Sequence, residues 1–250
     1  MPLSHLEKHA FLKVATYNIH KGVQGLGPAR RLEIQNLGLA IEQLDADIVC
    51  LQEVRKLHRR DEKYFKHWPE LPQAEFLAPP GYEAIYKTNA ITKHGEHGNA
   101  LLSRWPVVGH QHEDISDHGF EQRGLLHVQL SVDQREVHVI VVHLGLLAGS
   151  RLRQVRRLFD FVQREVPAHA PLIVAGDFND WARRLDRPLA HMGLRCHHGL
   201  PTPTFPARMP MVQLDRIYAR GLRPVSSHTP HGAIWARMSD HLPLTAEFAF

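Results

Sequence analysis

The sequence predicts an α/β fold in which two mainly antiparallel β-sheets pack face to face, with helices on the outside. Three observations lead to this prediction: strand-like segments outnumber helical ones, several follow each other closely along the chain, and many are apolar on both faces. The chain has 250 residues, 43% of them hydrophobic and 22% charged, with no low-complexity block or flexible linker. We therefore expect one domain over residues 1–250.

The first half of the chain is read as strands around one helix. Apolar runs or alternation predict strands at 11–19, 47–54, 82–88 and 99–105. Apolar residues recur at helical spacing over 29–44, which predicts a helix there. Residues 55–80 form a basic, proline-punctuated excursion between strands.

The second half contains two predicted helices among further strands. Ser150 is a good N-cap for a helix that runs to Val166, and a second helix is expected over 181–191. The remaining strands are predicted at 123–132, 135–144, 171–177, 212–219, 223–229 and 243–250.

Polar side chains interrupt the apolar strands at or near their ends. These residues are Asn18 and His20, Gln52 and Glu53, His143, Asp177 and Asn179, Asp215, and Asp240 with His241. A single residue of this kind is usually a helix cap or a hydrogen-bonding group in the core. Taken by itself, Asp215 could simply form an ion pair with the adjacent Arg216. Their recurrence suggests that several strand ends converge on a common polar site.

The residue types at these ends indicate the chemistry of the site. Glu53, Asp177 and Asp240 repel one another when ionised, and a hard cation such as Mg²⁺ or Mn²⁺ removes that penalty. No zinc-type spacing is present, and the stretch HGEHGN (94–99) is read as a glycine-punctuated loop.

The same residues suggest hydrolysis of a phosphoester. Asp177 and Asn179 are two apart, so in extended chain both would point to the site, with Phe178 in the core. Asp177 can orient or deprotonate a water, and Asn179 can donate to a phosphate oxygen. A pair of Asp215 with His241 would favour an imidazolium that stabilises the transition state of a phosphodiesterase or phosphomonoesterase.

The motifs TYNIH, LQEV, GNALLSR, RGLL, VVHLG, AGDFND, LDRIY and SDHLPL occur in the order seen in the endonuclease/exonuclease/phosphatase superfamily. The chain resembles this deoxyribonuclease I-like group from about Thr16 to Leu244, and is most similar to small bacterial members. The resemblance implies a four-layer α/β/β/α sandwich with the site at one end of the two sheets.

The resemblance also implies a role for each matched residue. Glu53 would be the principal Mg²⁺ (or Mn²⁺) ligand, with Asn18 beside it and Asp240 close to the metal. Asp177 would orient the attacking water, Asn179 would contact the scissile phosphate, and Asp215 with His241 would form the Asp–His pair. The remaining matches are His143 as a phosphate contact or proton donor, and Asn99 and Arg123 as residues lining the pocket.

One position departs from the pattern of the abasic-site endonucleases. These enzymes carry an aspartate where this chain has His20. The missing carboxylate weakens a second metal position, and a histidine there can instead contact the phosphate.

The substrate stays open between nucleic acid and a phospholipid headgroup. The segment 55–66 holds six basic residues against two acidic ones, and arginines on the 150–166 helix add positive charge that suits a phosphate backbone. The stretch 202–211, with Phe205, Met209 and Met211, suits a peripheral membrane contact equally well. A phosphomonoesterase acting on a small metabolite, and a catalytically silent binding protein, are the alternatives.

The sequence also suggests a compartment. Its first twenty residues have no apolar core of signal-peptide length, and no later segment is long enough to span a bilayer. We therefore expect a cytoplasmic protein.

Overall fold

The computed structural model describes residues 11–196 and 202–250. Its strands are β1 (Phe11–Asn18), β2 (Val23–Gln24), β3 (Arg31–Leu32), β4 (Ile48–Val54), β5 (Glu83–Thr92), β6 (Gly95–Ser103), β7 (Val107–Asp114), β8 (Gly124–Val132), β9 (Arg135–His143), β10 (Leu172–Asp177), β11 (Asp215–Arg220), β12 (Arg223–His228) and β13 (Leu244–Ala249). Its α-helices are α1 (Ile34–Leu44), α2 (Arg59–Tyr64), α3 (Gln73–Leu77), α4 (Ala148–Glu165), α5 (Asp186–His191) and α6 (Trp235–Met238).

Two large sheets carry the architecture. The first has six strands in the order β12-β13-β1-β4-β6-β5, and the second has five in the order β11-β10-β9-β8-β7. Only the pairs β1–β4 and β9–β10 are parallel among these described neighbours. Valines, leucines and isoleucines from the inner faces of both sheets, such as Val14, Leu126 and Val139, form one buried cluster between them.

Helices cover both outer faces. Leu37 and Ile41 of α1 pack on the first sheet together with residues of α3 and α6. Leu158 and Phe161 of α4 pack on the second sheet together with α5. The mixed fold with two packed sheets and helices outside is therefore confirmed, in the layer order α/β/β/α.

Two predicted helix starts are wrong. The helix expected from residue 29 begins at Ile34, because Arg31 and Leu32 pair with Val23 and Gln24 in a short hairpin. Ser150 is no N-cap: α4 begins at Ala148, and the Ser150 hydroxyl donates to Asp117 Oδ2 at 2.7 Å.

The helix expected over 181–191 is also shorter than predicted. Only Asp186–His191 is helical, because the preceding chain turns around Asp180, whose Oδ2 accepts from the amide of Leu185 at 2.8 Å.

The stretch 94–99 is not a loop, since β6 begins at Gly95. Its glycines permit close approach of neighbouring backbone: a Cβ on Gly98 would lie 1.9 Å from the carbonyl oxygen of Lys87, and one on Gly95 would lie 2.1 Å from that of Leu57. Strand β7 was not predicted at all, because it is an edge strand with mostly exposed and polar side chains.

Within 11–196 and 202–250, no helix has the length and apolarity that a bilayer crossing requires.

Candidate active site

The polar strand ends of the second sheet lie side by side. Asp177 at the end of β10 pairs in register with His143 at the end of parallel β9 and with Asp215 at the start of antiparallel β11. Because residues in register point to the same face of a sheet, the three side chains converge, and His143 Nε2 lies 3.5 Å from Asp177 Oδ2.

Asn18 joins the two sheets at this edge. It ends β1 of the first sheet, and its Nδ2 donates to Asp177 Oδ2 at 3.2 Å and to Glu53 Oε1 at 3.5 Å. The Ser239 hydroxyl donates to the carbonyl oxygen of Asn18 at 2.6 Å, which holds the 239–241 loop against the end of β1.

His241 comes from this loop and pairs with Asp215. Its Nδ1 lies 2.7 Å from Asp215 Oδ2, and its Nε2 lies 3.7 Å from Asp177 Oδ2. Burial lowers the pKa of His241, but the carboxylates of Asp215 and Asp177 outweigh this effect and raise it to about 10. His241 is therefore an imidazolium near neutral pH.

Asn179 reaches the site by a turn and not, as expected, by strand alternation. Its φ is 49°, so the chain has left extended conformation. Its amide donates to Asp177 Oδ1 at 2.9 Å, and its Nδ2 donates to the carbonyl oxygen of Leu144 at 2.9 Å. The turn thus places the backbone N–H of Asn179 beside the Asp177 carboxylate. Phe178 lies in the core as predicted.

The family model described as Endonuclease/Exonuclease/phosphatase family matches residues 15–241. The chain belongs to this family. The uncharacterized protein YbhP of Escherichia coli strain K12 is 38% identical over 243 residues, which cover 94% of this chain and 95% of the relative. The expectation from the sequence motifs is thereby confirmed.

Solved structures share the fold at low sequence identity. An endonuclease/exonuclease/phosphatase from Beutenbergia cavernae superposes with a TM-score of 0.75 at 22% identity, covering 96% of this chain and 72% of that one. The human Nocturnin catalytic domain with bound sulfate gives 0.73 at 22% identity, covering 98% and 95% of the two chains. Danio rerio TDP2 complexed with single-strand DNA product gives 0.66 at 17% identity, covering 96% and 100%.

Family members typically depend on a divalent metal, and this chain offers oxygen ligands that suit one. Glu53 and Asn18 face each other across β4 and β1. Burial raises the pKa of Glu53, but Lys21 and His143 outweigh it and hold that pKa well below its usual range. The carboxylate is therefore ionised, as a ligand of a hard cation must be.

A second set of close ligand atoms belongs to Asp177, Asp215 and His241, which lie within 4.8 Å of one another. The His241 Nδ1 in this set is already paired with Asp215, so we interpret the set as a hydrogen-bonded triad and not as a metal cage. Asp240 lies farther out, where its Oδ1 is 3.3 Å from His20 Nδ1. Asp240, expected close to the metal, and His20, expected to contact the phosphate, therefore contact each other.

Arg123 and Asn99, both expected to line the pocket, have different surroundings: Arg123 lines a surface groove, whereas Asn99 is buried between the sheets and lines no groove among the described residues. Arg123 Nε donates to the carbonyl oxygen of Leu144 at 3.3 Å, beside the bond from Asn179. Asn99 is fully buried, and its Nδ2 donates to carbonyl oxygens of Gly124 at 3.0 Å and Val141 at 3.2 Å. It braces β6 of the first sheet against β8 and β9 of the second.

Sequence reasoning missed Lys21. Its Nζ lies 2.7 Å from Glu53 Oε2, although the lysine sits in a glycine-rich stretch without a charge pattern. Lys21, His20, Glu53 and Asn179 all have φ between 44° and 63°, a conformation that non-glycine residues rarely adopt. Four of the eight described non-glycine residues with positive φ therefore lie at the polar site, and strained backbone of this kind is often found at functional sites.

The alternative pairing of Asp215 with Arg216 does not occur. The Arg216 guanidinium is buried and bonds to Asp180 Oδ2 at 3.3 Å and Asp186 Oδ1 at 2.9 Å. This ion-pair cluster fixes the turn after β10. Because Arg216 is occupied there, Asp215 pairs with His241.

Some of the expected basic surface is neutralised inside the chain. Fully buried Asp61 accepts from Arg30 at 2.7 Å and also pairs with Arg55. On α4, Arg153 pairs with Asp117 at 2.6 Å and Arg164 with Glu165 at 2.6 Å. The exposed cations that remain in 55–66 are Lys56, Arg59, Arg60, Lys63 and Lys66.

Proposed function

We propose that this family member is a divalent-metal-dependent phosphoester hydrolase, with phosphodiesters as its preferred class. The observation that carries the proposal is the position of Asp177, which faces the Nε2 atoms of His143 and His241 at 3.5 and 3.7 Å at the junction of the two sheets. A carboxylate that faces two imidazoles across a polar gap suits a reacting water and a phosphate group.

In this proposal, Asp177 orients the attacking water and accepts its proton. The water oxygen forms a bond to phosphorus while the bond from phosphorus to the leaving oxygen breaks. The His241 imidazolium donates to a phosphate oxygen as negative charge develops there, and Asp215 fixes its orientation through the 2.7 Å bond. His143 and the second proton of Asn179 Nδ2 supply further contacts to the phosphate.

Glu53 and Asn18 are the residues that would hold a Mg²⁺ or Mn²⁺ ion, with Asp240 and His20 at the outer edge. The ion would supply a Lewis acid that neutralises charge on the phosphate. Lys21 holds a positive charge 2.7 Å from Glu53 and can share this task on the protein side.

The first experiment is a phosphoester panel with and without Mg²⁺ or Mn²⁺: plasmid DNA, an abasic duplex, bis-p-nitrophenyl phosphate, a phosphomonoester and phospholipids. Wild type runs beside Asp177→Ala and His241→Ala. The exposed Asp160→Ala and His169→Ala are matched controls that lose the same groups away from the site.

Metal-dependent cleavage that the two site variants lose and the two control variants keep is the expected result. The substrates that are cleaved would also show whether the enzyme is a phosphodiesterase or a phosphomonoesterase, and which class of substrate it prefers. Equal activity in all five proteins would contradict the proposed site, and no activity on any substrate would revive a silent binding protein.

A further inference from the structure

A groove of about 500 Å³ opens beside the catalytic cluster. Three loops form it: the β5–β6 hairpin, the segment 119–123 before β8, and the segment 144–147 between β9 and α4. His97 and Arg123 line the end nearest the site. The outer part is lined by Ile91, Phe120, Leu146 and Leu147.

These outer side chains are unusually exposed for their type. Phe120 is 81% exposed, Leu146 67% and Leu147 52%. Apolar side chains scattered singly on a surface are ordinary, but a contiguous set at the mouth of a polar site usually marks a binding surface.

The backbone that carries the two leucines is firmly held. The amide of Gly145 donates to Gln154 Oε1 at 2.8 Å, and the amide of Leu146 donates to Glu121 Oε1 at 3.0 Å. The buried Arg151 guanidinium donates to the carbonyl oxygens of Gly145 at 3.1 Å and Leu146 at 2.6 Å. Buried polar groups therefore fix a segment whose apolar side chains face water.

Phe120 is held in a similar way. Its ring stacks on His118 with centroids 5.0 Å apart and planes 5° apart. The neighbouring Asp117 accepts from Ser150 at 2.7 Å and from Arg153 at 2.6 Å, both on α4. A preorganised apolar wall binds a ligand without a large ordering cost.

The polar groups of the groove are largely occupied by the protein itself. Gln122 Oε1 accepts from the amide of Ile91 at 2.9 Å, and the Thr92 hydroxyl donates to the carbonyl oxygen of Gly95 at 2.9 Å. Glu121 Oε1 accepts from Arg123 at 3.1 Å as well as from Leu146. These acceptor atoms are therefore already satisfied by the protein, whereas the apolar side chains of the wall are open to a ligand.

Arg123 links the groove to the candidate site. It lines the groove, its charge acts on His143, and its Nε donates to the carbonyl oxygen of Leu144, which also accepts from Asn179 Nδ2.

We propose that this groove binds a hydrocarbon group of the substrate, so that the enzyme prefers amphiphilic phosphoesters over nucleic acid. The proposal rests on the hydrolase function proposed above for the same site. The shared chemistry is an alkyl chain attached near a phosphate, whether the molecule is free in solution or part of a lipid bilayer.

Binding tests the groove independently of catalysis. Calorimetric titration compares methyl phosphate with octyl phosphate, both below micellar concentration and with Mn²⁺ present. Each buried methylene strengthens binding about fourfold, so burial of two of them gives a gain of about 15-fold for octyl phosphate. The variant Phe120→Ser/Leu147→Ser should reduce this gain to about threefold, since part of the wall remains. Leu39→Ser on α1, which removes another exposed leucine away from the groove, is the control.

A second arm separates the two sources of the alkyl chain. Co-sedimentation with phosphatidylglycerol vesicles is measured for the same three proteins and for a Leu147→Ser single variant. A chain-length gain with octyl phosphate supports capture of single amphiphiles. Vesicle binding without that gain, lost in the double variant, supports capture at a bilayer. Equal affinity for the two phosphates together with no vesicle binding overturns the proposal.

Hydrolysis is measured separately with methyl and octyl p-nitrophenyl phosphate, which share one leaving group. Tighter binding of octyl phosphate than of methyl phosphate, without hydrolysis of either ester, would support the proposed groove and contradict the proposed hydrolase function. Hydrolysis of both at equal rates, with equal binding, would leave the hydrolase standing and contradict the groove.

Discussion

Two buried histidines of the second sheet predict a loss of stability in acid. His127 Nε2 lies 2.9 Å from His138 Nδ1, and the rings stack with centroids 5.1 Å apart. Both side chains are inaccessible to solvent, and the ring of Phe161 from α4 lies 5.4 Å from that of His127. Burial, with a smaller contribution from His138, lowers the pKa of His127 to about 4.

The sign and size of the effect follow from linkage. In the unfolded chain the pKa of a histidine is about 6.5, so between about pH 6.5 and 4 the unfolded state binds a proton that the folded state does not. The contribution of His127 is therefore fully present above pH 6.5 and falls as the pH drops. At about pH 5 the loss amounts to about 2 kcal/mol of the free energy of unfolding.

Urea unfolding near neutral pH and at about pH 5 measures this loss. His127→Gln removes the titrating group and keeps a hydrogen-bonding side chain, so we expect its pH-dependent loss to be smaller than that of wild type by about 2 kcal/mol. His169→Gln is the matched control, because His169 is exposed in the folded chain as in the unfolded one. An unchanged pH dependence in His127→Gln would refute the reasoning.

Two further predictions concern the ion pairs and strands around the site. Arg216→Ala leaves the buried Asp180 carboxylate without its ion-pair partner, so urea unfolding should show a loss of about 3–5 kcal/mol, and a loss below about 1 kcal/mol would contradict the buried pair. Gly98→Ala would bring a Cβ within 1.9 Å of the Lys87 carbonyl oxygen. It should cost at least about 2 kcal/mol in the same assay. Gly38→Ala has no atom within 4 Å of the new Cβ and is the control, with an expected gain of about 0.5–1 kcal/mol.

The polar side chains at the strand ends could be predicted as site residues from the sequence, because they interrupt long apolar runs. Asp177 and His143 each end a run of buried residues, and the register of β9, β10 and β11 then brings them beside Asp215. The pairing of Asp215 with His241 could be expected from residue type alone. The sequence could not show that Asp215 pairs with His241 and not with Arg216, because this depends on the ion pairs of the Arg216 guanidinium with Asp180 and Asp186.

Other features left no signal in the local pattern. Strand β7 is polar on both faces because it lies at a sheet edge, so no apolar alternation marks it. Lys21 reaches Glu53 only through a left-handed backbone conformation at residue 21. Leu146 and Leu147 follow the predicted strand 135–144 without a pattern of their own, and only the hydrogen bonds to Gln154 and Glu121 reveal a fixed loop that exposes them.

The most direct test of the proposed catalytic centre is a double-mutant cycle on Asp215 and His241. The value of kcat/KM for bis-p-nitrophenyl phosphate with Mn²⁺ is measured for wild type, Asp215→Asn, His241→Gln and the double variant, with Asp160→Asn as the exposed control. If the two residues act as one hydrogen-bonded unit, each single variant loses about 10²–10³-fold and the double variant loses no more than the worse single one. Losses that multiply would contradict the claim that the two residues act as one unit, and single variants within about threefold of wild type would contradict a catalytic role for either residue.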